Sequence, residues 1–278
     1  MKIAISTDSS ADMPISVQKE YNIHITPLTI LMDEETFLDG ERPITDIFDY
    51  VNKTKNLPKT SAVNEEQYKA HFSKLLETYD AIIHISMASF TSCSYENAMS
   101  ASKYCNNVHV IDSKSLSSGM TLLATIASKL ASSGSSVEQI INEINKLIPK
   151  TQVSLILKSV NYLHKGGRCS GLALLGANLL NLKPMVVLED DKVKVKKKLR
   201  GNMQKVLKDY INELFLSHPN PNLDDVYIAY TSTTPELVEI ARNLLKTRGF
   251  KNIHTAVANA TITCHCGEYA MGIIFIDK

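Results

Sequence analysis

Three short apolar runs, each ending in a carboxylate or a hydroxyl, constrain the fold of this chain most. Lys2-Ile-Ala-Ile-Ser-Thr-Asp8 leads into Ser9-Ser-Ala-Asp12, Ala81-Ile-Ile-His-Ile85 into Ser86, and Val108-His-Val-Ile-Asp112 into Ser113. Runs of this length, bounded by turn residues, read as buried strands. Helix-spaced segments separate and follow them. Tyr68, Phe72, Leu75, Leu76 and Tyr79 share one face, and residues 95–104, 116–130 and 137–148 carry the same period. Ser136 and Gln139 make a capping box for the last of these. Strand and helix in alternation predict a parallel sheet with helices on both faces. In such a sheet the carboxyl ends of the strands face the ligand.

The connections are legible in the same terms. Pro14 suits the first turn of a helix. Residues 23–31 read as a second strand, with Pro27 placing it at an edge or bulge. Asp33-Glu-Glu35 reads as a turn, and Ile44, Ile47, Phe48 and Val51 have helical spacing. Leu57-Pro-Lys-Thr60-Ser61-Ala-Val-Asn64 is a loop with paired hydroxyls.

At Pro149-Lys150 the pattern changes, so the reading is an α/β chain of two lobes. Residues 1–150 form a parallel-sheet lobe and residues 151–278 a mixed-sheet lobe. Strands are expected at 153–157, 226–230, 253–258 and 271–276, and helices at 172–180, 202–216 and 235–248. Asp190-Asp191, flanked by two strand-like runs, signals a hairpin, so the second sheet must be mixed.

Composition removes several classes of function. Thirty Lys and Arg against 29 Asp and Glu leave a net charge of +1, which argues against a general nucleic-acid or membrane-coating role. No run of 18 apolar residues occurs, so no transmembrane helix is expected. Met1-Lys2 leads straight into a strand pattern, without the apolar region of a signal peptide. The five cysteines, Cys93, Cys105, Cys169, Cys264 and Cys266, then suit reduced thiols in a cytoplasm.

The chemistry-bearing stretch is Ser86-Met-Ala-Ser-Phe-Thr-Ser92-Cys-Ser94-Tyr-Glu-Asn-Ala98. It places five hydroxyls, of Ser86, Ser89, Thr91, Ser92 and Ser94, at a strand-to-helix turn. Backbone N–H groups at a helix N-terminus lack intrahelical partners and attract anions. Hydroxyls around them make a receptor for phosphate or carboxylate. The same spacing also serves a plain N-cap on Ser92 or Ser94.

Other motifs admit two readings each. Lys192-Val-Lys-Val-Lys-Lys-Lys-Leu-Arg200 is an edge strand kept soluble by lysines, or a docking surface for a phosphate-bearing partner. Cys264-His265-Cys266 lacks the spacing of a zinc site; in an extended segment His265 faces away from the two thiols and serves as a donor to an anion. Gly166-Gly167-Arg168 is a turn or a phosphate loop, without the Lys-Ser/Thr ending of a P-loop. A serine hydrolase acting through Ser92, with His265 and Asp8 or Asp112, lacks the nucleophile elbow G-x-S-x-G.

Taken together, six stretches resemble the DegV family of bacterial lipid-binding proteins, which includes the fatty-acid-binding subunits of fatty acid kinases. They are Thr7-Asp-Ser-Ser-Ala-Asp12, Pro58-Lys-Thr60-Ser61, Ser92-Cys93-Ser94-Tyr95, Val110-Ile-Asp-Ser113, Tyr162-Leu-His-Lys-Gly-Gly-Arg168-Cys-Ser170 and His265-Cys-Gly267. The resemblance implies two lobes with a long-chain fatty acid bound between or beneath them, its carboxylate near the serine turn. It implies Thr60 and Ser92 as carboxylate ligands, with Ser61, Ser94 and His265 in the same polar network. Arg168 is implied to be structural or to face the head group, and Arg200 to face a kinase partner. It further implies a carrier with no catalytic residues, no metal and no cofactor beyond its lipid. The alternatives are an esterase or acyltransferase using Ser92 and a nucleotide- or phosphate-binding enzyme. Cys93 stands where the family has glycine, and Glu268-Tyr269 where it has Pro-Gly.

Overall fold

The structure, a computed structural model, describes residues 1–168 and 182–278. From the N-terminus its elements are β1 (Ile3–Asp8), α1 (Ile15–Glu20), β2 (Ile23–Thr26), β3 (Thr29–Met32), β4 (Glu35–Leu38), α2 (Thr45–Thr54), β5 (Lys59–Ser61) and α3 (Glu65–Leu76). Next come β6 (Ala81–Ser86), α4 (Ser94–Ser102), β7 (Val108–Asp112), α5 (Ser118–Ser132), α6 (Val137–Leu147), β8 (Thr151–Ile156) and α7 (Asn161–Lys165). The rest is β9 (Leu182–Glu189), β10 (Lys192–Arg200), α8 (Met203–Ser217), β11 (Pro221–Tyr230), α9 (Pro235–Thr247), β12 (Asn252–Val257), α10 (Ala260–Cys266) and β13 (Met271–Asp277). The apolar helix expected at 172–180, and Cys169, lie outside the described residues. No described helix is long and apolar enough to cross a membrane.

The chain divides into two compact units, Met1–Arg42 with Thr60–Pro149, and Pro43–Lys59 with Lys150–Lys278. The sequence reading keeps residues 43–59 in the first lobe, and the structure corrects this. Ile47 and Phe48 of α2 are buried, and α2 packs against α10 of the second unit. Periodicity shows that a helix has an apolar face but not which neighbour covers it.

The first unit holds a parallel sheet in the order β2-β1-β6-β7. Alternation along β1 and β6 sorts side chains onto two faces. Ala4 and Ile82 pack with Tyr68 and Phe72 of α3 and Ala98 and Ala101 of α4. Ile5, Ile83 and Ile85 pack with Leu123 and Ala127 of α5 and Ile140 and Ile144 of α6. Each such buried isoleucine contributes about 1.5–3 kcal/mol. Helix α6 starts on the predicted capping box of Ser136 and Gln139.

The single strand expected at 23–31 is two strands in two sheets. Pro27 has no N–H for a ladder; β2 stays with β1, while β3 joins the small sheet β4-β3-β5. This break carries the chain towards β5 and so to Thr60 and Ser61.

The second unit is a six-stranded mixed sheet, β10-β9-β8-β13-β11-β12, antiparallel except for β11 and β12. Asp190 and Asp191 both take positive φ, 52° and 53°, as a two-residue hairpin turn requires. Helices α8 and α9 cover one face, around Tyr210, Leu214, Leu245 and Phe275. Leu163 and Cys266 lie in a smaller core with Leu157 and Val186.

Candidate functional site

The turn from β6 to α4 is built by local hydrogen bonds. The Thr91 amide and hydroxyl both donate to the Ala88 carbonyl, at 2.9 and 2.8 Å. Helix α4 begins at Ser94, so Cys93 is its N-cap, and its side chain makes no capping bond. Neither Ser92 nor Ser94 is therefore the N-cap itself. Ser92 acts from one residue further out: its Oγ accepts the Ser94 N–H at 3.2 Å and lies 3.0 Å from Ser94 Oγ. Ser94 is fully buried, Ser92 half-buried and Cys93 exposed.

Thr60 and Ser61 lie on β5. Ser61 is exposed, and its Oγ reaches the Ala62 carbonyl only at 3.4 Å. Three hydrogen bonds fix the segment that follows. Asn64 and Gln67 form a capping box for α3, and Asn97 of α4 donates to the Val63 carbonyl at 2.7 Å. The loop carrying Thr60 is thus tied to the helix that Ser92 and Ser94 introduce.

Beneath this turn lies a buried polar network. Ser6 sits opposite His84 in the β1–β6 register, on the face that also carries Ala4 and Ile82. Asp8 follows Ser6 on that face and is fully buried. Its Oδ1 accepts from Tyr68 Oη at 2.5 Å and from His84 Nε2 at 3.2 Å. Its Oδ2 accepts from Ser86 Oγ and from the Met87 amide, both at 2.9 Å. Ser6 Oγ links His84 Nδ1, at 3.0 Å, to His71 Nε2, at 2.7 Å.

The electrostatics follow from burial and partners. Burial works to raise the Asp8 pKa, but His84 together with the Tyr68 and Met87 hydrogen bonds carries it below the ordinary carboxylate value. Burial and the Asp8 charge hold Tyr68 protonated, far above the usual phenol range. Burial, with His84 and His24 nearby, pushes His71 down to about 3, so it is neutral at pH 7. The sequence reading passes over Tyr68 and His84, because three elements bring them together only in space. The available signal is His84 itself, a polar residue in an apolar strand that needs a partner.

In the second unit, residues 260–266 form helix α10, not the extended segment expected at Cys264-His265-Cys266. Gly267, at φ 71°, closes the helix. The motif around Arg168 packs on it through two glycines. A Cβ on Gly166 would stand 2.6 Å from His265 Nδ1, and one on Gly267 would stand 2.6 Å from the Tyr162 ring. Arg168 donates to the Gly166 carbonyl at 2.7 Å. Burial first, and the Arg168 charge second, push His265 down to about 4. A neutral His265 can still donate to an anion through one ring N–H. Glu268 pairs with Lys158 at 3.0 Å, and the Lys158 ammonium lies over the Tyr269 ring.

Arg200 is exposed at the end of β10, an edge strand. Along that strand Lys196 pairs with Glu189, Lys197 with Glu213, and Lys194 with Asp190. Among the described residues no group of three or more His, Cys, Asp or Glu could hold a metal ion. Among them, too, no imidazole bonds Ser92, and His84 is engaged by Asp8 and Ser6. A base in hydrogen-bond reach of Ser92, which the hydrolase reading requires, is not found among the described residues.

A family model described as an uncharacterised protein of the DegV family matches residues 2–278. A DegV domain-containing protein of Clostridium acetobutylicum is 30% identical over 286 residues, spanning 100% of this chain and 99% of that protein. The crystal structure of DegV from Bacillus subtilis, described as a fatty acid binding protein, superposes with a TM-score of 0.87 at 26% identity and full coverage of both chains. The Streptococcus pneumoniae fatty acid kinase B3 protein loaded with linoleic acid gives a TM-score of 0.86 at 20% identity, again over both whole chains.

Proposed function

This chain belongs to the DegV family, and from that premise we propose that it binds a long-chain fatty acid non-covalently and presents the carboxylate to a separate fatty acid kinase. On this reading the protein is a cytoplasmic carrier and performs no chemistry of its own. The observation that carries the proposal is the Ser92–Ser94 hydroxyl pair at the head of α4. The buried Asp8 network beneath supports it, and so do the fatty acid named for the Bacillus subtilis protein and the linoleic acid named for the Streptococcus pneumoniae protein.

The energetics suit the task. A buried acyl chain gains about 0.8 kcal/mol per CH₂, on the order of 10 kcal/mol before the costs of association. Its carboxylate must find fixed donors, because an unpaired buried charge is expensive. Thr60 and Ser92 are the proposed direct donors, with Ser61 and Ser94 as neighbours. His265 and Arg168 join the proposal on their motifs alone. Arg200, exposed on an edge strand, is the proposed contact for the kinase.

Thr60→Ala with Ser92→Ala tests this reading. Two hydrogen bonds to a charged group contribute on the order of 3 kcal/mol or more. Oleate affinity of the double variant is expected to fall about a hundredfold while the fold persists. Affinity equal to that of the parent chain would overturn the assignment of these two hydroxyls.

A further inference from the structure

The serine turn is stapled to the loop that follows β7. The Ser113 amide donates to the Ser86 carbonyl at 3.1 Å, and the Ala88 amide to the Ser115 carbonyl at 2.8 Å. Asp112 Oδ1, at the end of β7, accepts the Ser89 amide at 3.1 Å and the Lys114 amide at 3.0 Å. Ser113 Oγ accepts the Ser115 amide at 3.1 Å and donates to the Ser115 carbonyl at 3.2 Å. Between these bonds Lys114 is held at φ 50°, in the left-handed region, where glycine or asparagine sits at less cost. Its ammonium turns back over the serine turn. Nζ lies 3.1 Å from Asp112 Oδ2, 3.4 Å from Ser89 Oγ and 6.0 Å from the centre of the Phe90 ring. Ser89 stands three residues before Ser92, in the turn closed by the bond from Thr91 to Ala88.

We infer that Lys114 is a specificity-determining residue, the cation that lets this site hold a head group of two negative charges. The inference rests on the proposed reading that a kinase acts on the bound carboxylate. In that step a carboxylate oxygen attacks the terminal phosphorus of a nucleoside triphosphate. The new O–P bond forms as the bond to the leaving nucleoside diphosphate breaks. The head group passes from one negative charge to two and becomes an acyl phosphate. Neutral hydroxyls such as those of Ser92 and Ser94 serve either state alike, whereas a flexible ammonium answers the added charge. Lys114 is placed to do so, because its side chain is 40% exposed. An ion pair as open as Lys114–Asp112 contributes little to stability, so the ammonium leaves it at small cost. Asp112 then keeps the Ser89 and Lys114 amides as donors.

The test compares oleate with oleyl phosphate, a stable alkyl phosphate that is dianionic at about pH 8, in competition binding to the full chain at low ionic strength. Lys114→Met is expected to lower the ratio of oleyl phosphate affinity to oleate affinity about tenfold. Lys114→Gly removes the same ammonium and suits the positive φ, so it should fold at least as well as the parent and lose the same discrimination. Lys114→Arg keeps the charge and is expected to hold the ratio within about twofold of the parent. The loss in the Met and Gly variants should shrink as salt is added, since exposed charges are screened. A ratio in both variants equal to that of the parent overturns the inference. So does an Arg variant that loses as much as the Met variant, since charge is then not the cause. A parent chain that binds oleate but not oleyl phosphate also overturns it and leaves the carrier reading standing. A parent chain that binds neither overturns both.

Discussion

Replacing Asp8 by asparagine keeps the shape of the side chain and removes its charge. A carboxamide has one oxygen and one NH₂ where Asp8 has two acceptors. The Met87 N–H is fixed in the backbone, so the amide oxygen should stay with Met87 and Ser86, at the 2.9 Å position. The NH₂ then faces Tyr68 and His84, both of which donate there now. Tyr68 can turn to accept, but the charge-assisted bonds of a fully buried site are gone. Hydrogen bonds to a charged group contribute about 1.5–3 kcal/mol each, and losing the desolvation cost of the anion returns part of two such bonds. The expected loss is about 3 kcal/mol, or a fall in Tm on the order of 10 °C. Urea unfolding should show a lower midpoint with an unchanged m-value. A pH series supplies the sign. The folded-state pKa of Asp8 lies below 3.8, so its contribution is present above that value and lost as pH falls through the lower folded value. The gap between parent and variant should therefore close in strong acid. A loss below about 1 kcal/mol at pH 7, or a gap independent of pH, would refute the account of the network.

Two further perturbations address the rest of the structure. Gly166→Ala puts a Cβ 2.6 Å from His265 Nδ1 and 3.0 Å from the Tyr162 carbonyl; the overpacking should cost about 1–3 kcal/mol in urea unfolding, and an unchanged midpoint would contradict the packing described. His71 and His265 are neutral in the fold, at about 3 and about 4 against an ordinary 6.5. Their contribution is complete above pH 6.5 and is lost as pH falls towards those values, so stability should drop by a few kcal/mol between pH 6.5 and 4. A flat urea midpoint over that window would sink this reading.

The parallel sheet is legible because its strands announce themselves twice, by apolar runs and by the polar residues that end them. Asp8, Ser86 and Asp112 close β1, β6 and β7. The hairpin is legible for a similarly local reason, two aspartates free to take positive φ. What the sequence hides is non-local. Nothing in residues 45–54 says that α2 groups with the second unit. The sequence reading takes Cys264-His265-Cys266 only as an extended segment, yet Asn259 ahead of it and Gly267 after it bracket a helix. The serine turn is visible as a cluster of hydroxyls, but its support is not. Ser6, Tyr68 and His84 are single residues on three elements, each unremarkable until the register sets Ser6 against His84.

The most direct test of the central claim is mass spectrometry of the protein as purified from bacteria, under native and then denaturing conditions. The account predicts a mass increment that vanishes on denaturation, with a long-chain fatty acid in the organic extract. A folded protein at its bare mass that also takes up no added oleate would contradict it.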